Sequence, residues 1–211
     1  MFLSGQEILH HSHQLFPDEF DSKLINEASY DIRLGKDVFL SDQKVPLRLS
    51  EDEPVLVLPA GEFALLTSLE RVAIPATLIG FITIRLKFKL QGLINVSGFH
   101  VDPTYEGPLI FSVQNVGPND IRIYLQEPVF TIFFAEVKGA LPDVVKQRAP
   151  RRGYDRISGE LMSQLGGGSV TLSTVKRDLE KLEHTVKIYA PIIVALFLTI
   201  IGLLLRKAVG G

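Results

Sequence analysis

The residues of this 211-residue chain whose types and spacing suit chemistry gather between Ile94 and Gly117, in INVSGFHVDPTYEGPLIFSVQNVG. Asp102 opens a tight turn with Pro103, Tyr105 follows, and an apolar run lies on either side. A lone acid beside an aromatic gives a small-molecule site one polar contact and one stacking surface. The plainer reading of Asp102 is an Asx-type turn acid with no ligand of its own. Other candidates are weaker. His10, His11 and His13 invite a metal, but neighbouring side chains on a helix point apart, and Glu7 is better used as a helix cap. They read as solvated surface. Gly166 to Ser169 is a flexible linker and not a phosphate loop, because no strand leads into it and no Gly-Lys-Ser follows. The absence of Cys excludes disulfides, thiolate catalysis and Cys-ligated zinc. A net charge of −2 gives no field for nucleic acid, so no nucleic-acid partner is expected.

These residues need a scaffold, and the punctuation of the chain supplies one. Ser4 ahead of Glu7 marks a capped helix within Leu3 to Leu15. After it come short alternating runs at intervals near ten residues, among them SYDIRLG, DVFLSD, PVLVLPAG, EFALLTSL, RVAIP, PLIFSVQN and IRIYLQEP, parted by Gly, Pro, Asp and Asn. Period-2 runs between such turns predict an all-β sandwich or barrel. Leu125 to Val137 adds a buried closing strand. Around Arg85 the alternation places Ile82, Ile84, Leu86, Phe88 and Leu90 on one side and Thr83, Arg85, Lys87 and Lys89 on the other. This predicts a strand with one apolar and one basic face, and Arg85 aided by Lys87 suits a charge-assisted phosphate contact. A solvated face, or an edge strand guarded by Lys, is the competing account.

Three runs, ASYDIRLG (28–35), LPAGEFALLTSLERVAIP (58–75) and GFHVDPTYEG (98–107), resemble the family of deoxycytidine triphosphate deaminases and deoxyuridine triphosphatases. The resemblance extends over residues 1–155 or so. It implies a distorted jelly-roll, a homotrimer, and a pyrimidine deoxynucleotide bound between subunits, with Mg2+ only where a triphosphate is bound. By the same resemblance Asp102 matches the acid that activates water in the triphosphatases, and Tyr105 the aromatic under the deoxyribose. Ser112 and Gln114 lie in the strand that follows, and Tyr154 falls in a tail that closes over nucleotide. Two positions depart from the pattern. Ser112 stands where the deaminases carry a Glu as general base, and a serine moves no protons at neutral pH without a base of its own. Arg85-Leu86-Lys87-Phe88 stands where the family has Arg followed by small hydroxyl residues that cradle phosphate.

The basic stretch from Lys146 to Arg156 reads equally well as a lid or as a linker touching anionic lipid. Beyond the linker the period changes. Leu172, Val175, Leu179, Leu182, Val186 and Tyr189 form an a/d seam, which predicts a short coiled coil. Ile188 to Leu205 holds no charged residue and is followed by Arg206 and Lys207, which predicts a transmembrane helix that contacts lipid and anchors a cytoplasmic β domain. Pro191 is placed in its first turn, where a missing N–H costs little. The expected layout is therefore a β domain over 1–157, a linker over 158–170, a coiled-coil helix over 171–187, a membrane helix over 188–205 and a tail over 206–211. No signal peptide is expected, because the first residues lack a basic and apolar leader.

Three functions are compatible with this sequence. One is a membrane-anchored homotrimer that binds or senses a nucleotide after losing catalysis. Another is an active nucleotide hydrolase, or a deaminase-type enzyme, using Asp102, Tyr105 and Arg85. A third is a membrane-tethered scaffold with Arg85, Lys87 and Lys89 as a docking stripe.

Overall fold

The computed structural model describes residues 1–43, 45–143, 151–159, 161 and 172–209. The predicted linker falls almost wholly outside these residues, as does the basic run before Arg151. Two compact units divide the chain, Met1–Thr171 and Leu172–Gly211.

The first unit begins with α1 (Gly5–His10), which starts where the capping box predicts. Ser4 accepts from the Glu7 N–H while the Glu7 carboxylate takes the Ser4 N–H. A second short turn, α2 (Ser12–Leu15), follows a break at His11. Ile8, Leu15 and Phe16 bury themselves against the β core.

The predicted β architecture is present, with longer strands than the punctuation implied. SYDIRLG and DVFLSD fuse into β1 (Tyr30–Leu40), which pairs with β2 (Leu47–Arg48). After β3 (Val55–Leu58), EFALLTSL and RVAIP fuse into β4 (Phe63–Ala73). Both fusions pass through register shifts, so the chain bends without breaking the ladder. Gly35 is required at one of them, because a Cβ there would stand 2.5 Å from the Ser68 carbonyl oxygen. The remaining strands are β5 (Leu78–Ile84), β6 (Leu93–Asn95), β7 (His100–Val101), β8 (Tyr105–Asn115), β9 (Ile121–Tyr124), β10 (Pro128–Glu136) and β11 (Arg151–Arg152).

The main sheet runs β11-β8-β4-β1-β10-β5-β7, with β6 on β8, and β3 pairs with β9 separately. Sheet neighbours are distant in sequence, as in a jelly-roll, and the interior is filled by alternate residues such as Ile32, Leu34, Leu66, Phe111, Val113, Phe130 and Ile132. Asn115 fastens one end. Its amide donates to the carbonyls of Leu58 (3.0 Å) and Asn119 (2.9 Å), and its oxygen accepts from the Gly117 N–H (2.9 Å), with the Asn115 side chain itself fully buried. Asn115→Ala would strand the buried Leu58 carbonyl and loosen the 115–119 turn, so denaturant unfolding is expected to show a loss of about 1–3 kcal/mol. A loss under about 0.5 kcal/mol would mean that water replaces the amide there.

One local prediction fails. The expected strand through Leu90 ends at Ile84, and Leu86–Lys89 is a short helix, α3, with Arg85 as its N-cap residue. Phe88 turns fully into the core while Leu86 and Leu90 lie 68 % and 79 % exposed. Leu86 therefore does not fill a buried site. The alternation fits a period of two, but Leu and Lys are strong helix formers and Gly92, at φ +96°, supplies the left-handed stop.

In the second unit the two expected helices are one, α4 (Leu172–Val209). Pro191 consequently lies in a helix interior and not in a first turn, where it removes the bond to the Lys187 carbonyl. Within Asp178–Gly202 an 18-residue window has mean hydropathy 2.0 and none of that window is buried, so this helix is long and apolar enough to cross a membrane. The seam residues Val175, Leu179, Leu182 and Val186 are exposed in the single chain.

Candidate functional site

The turn predicted at Asp102 forms directly after β7. The Tyr105 N–H donates to the Asp102 carbonyl at 3.3 Å, Pro103 occupies the first central position, and Thr104 takes φ +66°. This is type II geometry, and the second central position usually carries Gly, so a β-branched residue there holds the backbone under strain. Two further bonds clamp the turn to the end of β4, from Thr104 N–H to the Ile74 carbonyl and from Ile74 N–H to the Tyr105 carbonyl, each 2.8 Å.

A cavity of about 510 Å³ opens beside this turn. Val101, Leu109 and Phe111 form apolar walls, and Asp102, Tyr105 and Tyr154 reach it as a group. The sequence thus brings three of its candidate residues to one place. His100 is there too, with Nε2 3.5 Å from Asp102 Oδ1, and both side chains are partly exposed. Sequence reasoning missed this pair. Its signal was the spacing of two in an extended segment, which places both side chains on one face.

Tyr105 is half-buried, and burial pushes its phenol up to about 12. It stays a neutral donor at physiological pH, and its hydroxyl already donates to the Pro108 carbonyl. What lies over it is the chain's own tail. β11 adds parallel to β8 at Tyr105 and Glu106, the Gly153 N–H donates to the Glu106 carbonyl at 2.8 Å, and Arg152, Gly153 and Tyr154 complete the cavity wall. Only a glycine allows this approach, since a Cβ on residue 153 would stand 2.2 Å from the Tyr105 hydroxyl. The strap is held at its far end by Arg71, 2.6 Å from Asp155, and by Ile157, buried against Phe39 and Leu65. The Arg71 hydrogen bond holds the Asp155 carboxyl below the usual carboxylate range.

The other candidates stand apart from this cavity. Arg85 lies with Nε 3.2 Å from Asp31, a buried carboxylate that also accepts from the Thr131 hydroxyl at 2.7 Å. Lys87 pairs with Glu127. Ser112 sits in β8 next to the lining residue Phe111, and its backbone meets Ser97, whose side chain reaches the cavity. Gln114 donates to the Gly61 carbonyl at 3.4 Å, towards the Asn115 end of the domain. Asp31 was legible in ASYDIRLG as a motif residue, but nothing in the run says that it holds Arg85.

The β domain brings an Asp-Pro turn and its neighbouring aromatic to one cavity on a jelly-roll sheet. A family model described as dCTP deaminase-like matches residues 2–137, and the chain belongs to that family. The dCTP deaminase of Pyrococcus furiosus is 26% identical over 126 residues, 60% of this chain and 78% of that protein. That of Thermococcus sibiricus is 28% identical over 121 residues, 57% of this chain and 75% of the relative. The crystal structure of 2'-deoxycytidine 5'-triphosphate deaminase from Agrobacterium tumefaciens superposes with a TM-score of 0.53 at 18% identity, over 69% of this chain and 51% of that one. The chain spans about half of that structure, and the likeness is one of fold.

Proposed function

We propose that this protein is a membrane-anchored, homotrimeric nucleotide-binding module of the dCTP deaminase-like family that has lost deamination. The observation that carries the reading is Ser112. The deamination of a cytosine ring needs a group that takes a proton from water and returns one to the leaving amine, and a serine hydroxyl does neither alone near neutrality. Asp102 is the carboxylate that reaches the cavity, and it is engaged with His100. The anchor reading is supported by the apolar stretch of α4, and the trimer by family membership and by a seam left exposed in the single chain. Magnesium is expected here only as a companion of bound phosphates.

The test is ammonia release from dCTP by the full chain in detergent, with mass measurement of the micelle-embedded protein. No release and a three-copy mass are expected. Sustained turnover would overturn the loss of deamination, and a monomeric mass would overturn the trimer. The His100–Asp102 pair favours a second reading, a hydrolase that releases pyrophosphate with Asp102 orienting the attacking water. In that case pyrophosphate release from dUTP should fall on the order of a hundredfold in Asp102→Asn.

A further inference from the structure

Resting on the homotrimer proposed above, we infer that the outer face of β5 and β10 is where a second copy of this chain seats. A sheet that packs on one side only turns polar residues to the other. Here the inner positions Ile84, Phe130, Ile132 and Phe134 fill the core, and the outward ones carry no charge either. Ile79, Phe81 and Thr83 of β5 pair with Ala135, Phe133 and Thr131 of β10, and each of the six is only partly covered. Two further rings extend the face. Phe2 lies with its centroid 5.9 Å from Phe81 and 6.4 Å from Phe133, and Phe99 stacks on Phe81 at 6.1 Å. These two rings are 57 % and 64 % exposed. Along the two strands charge begins at Arg85 past one end and at Glu136 at the other, and across the sheet Phe81 borders His100 of β7.

Such a face fits an equally apolar surface. An acidic or basic partner finds no countercharge on it, and a lipid headgroup layer is ordinarily met by Lys or Arg set among the aromatics. A second copy meets the condition, and the chain carries another element suited to self-association. The a/d residues Val175, Leu179, Leu182 and Val186 of α4 are each at least half exposed. Size argues that the two elements act together. Three residue pairs at about 3.3 Å per residue, on strands about 4.8 Å apart, offer roughly 300 Å² once the two rings are added, against about 800 Å² per partner in a stable interface. A seam of four residues is short as well. Each is too small alone, but on one chain contact at either raises the effective concentration for the other.

The test weighs the full chain in detergent micelles by light scattering over a dilution series. The wild type is expected to hold three copies down to its dissociation point. Phe2→Glu combined with Phe99→Glu should move that point to at least about tenfold higher protein concentration, since each carboxylate would be buried against apolar surface without a partner. Phe2→Ser combined with Phe99→Ser brings no charge and should move it the same way by less, and this pair decides the matter if the glutamate pair misfolds. Tyr124→Glu, at a residue 51 % exposed in the separate β3–β9 sheet, should leave it unchanged. Double variants that dissociate like the wild type, or a Tyr124→Glu chain that dissociates as early as the glutamate pair, overturn the inference and leave the trimer standing. A wild type that is monomeric at every concentration overturns both.

Discussion

Replacing Arg33 by methionine is expected to lower the unfolding free energy by about 3–5 kcal/mol, because it breaks a buried ion pair from one side. Glu70 has no exposed surface and takes the Arg33 guanidinium Nε at 2.7 Å and the Arg33 N–H at 3.0 Å. The Tyr30 hydroxyl lies at 3.4 Å. Burial is the largest influence on the Glu70 carboxyl and raises it above its ordinary value, against the opposing pull of Arg33. A raised carboxyl binds its proton more tightly folded than unfolded. Its favourable contribution is therefore complete below the ordinary value of 4.5 and is lost as pH rises through the folded value. Removing Arg33 takes away the opposing pull and enlarges that loss. Denaturant unfolding of Arg33→Met should show a smaller deficit near pH 4.5 than near pH 8, and Arg33→Met with Glu70→Met should recover part of it, since no charge is then left stranded. A deficit independent of pH, and no milder in the double variant, would show that Arg33 acts through packing alone.

Phe111→Ala should cost about 3–5 kcal/mol. The Phe111 ring is 1 % exposed and stacks on Phe130 with centroids 3.6 Å apart and planes 14° apart, so β8 and β10 meet there across the core. Truncation loses the transfer of the ring, leaves a void and ends an aromatic pair worth roughly 0.5–1.5 kcal/mol beyond its area. For a domain of this size the melting temperature should fall by on the order of 10 °C. The same ring is a wall of the candidate cavity, as are Val101 and Leu109 of the same core. Phe111→Leu keeps most of the volume and should lose less than half as much. A drop under about 1 kcal/mol in the alanine variant would mean that the core collapses to fill the gap.

Much of the fold is legible in the sequence. The Ser4–Glu7 cap, the β punctuation and the three motif runs each rest on short-range chemistry, a hydroxyl three residues from a carboxylate or a period of two between turn formers. Asp102 and Tyr105 could be singled out for the same reason, since a turn needs only its own four residues. The segment from Ile82 to Leu90 shows where this stops. Its alternation satisfies a strand pattern and its composition a helix, and the burial of Phe88 together with the stop at Gly92 decides for the helix after Ile84.

By itself, then, the sequence determined the β class, the capped first helix, the Asp-Pro turn with its aromatic, and a C-terminal apolar stretch long enough to cross a membrane. Only the tertiary structure decided which charges are available. That Asp31 holds Arg85, that Glu127 holds Lys87 and that Glu70 holds Arg33 follows from strands brought together from across the chain. So does the meeting of Tyr154 with Asp102, made by a tail strand that adds to β8. Local pattern fixes what one segment prefers to be, whereas pairing between remote segments depends on sheet order, which no single window of residues encodes.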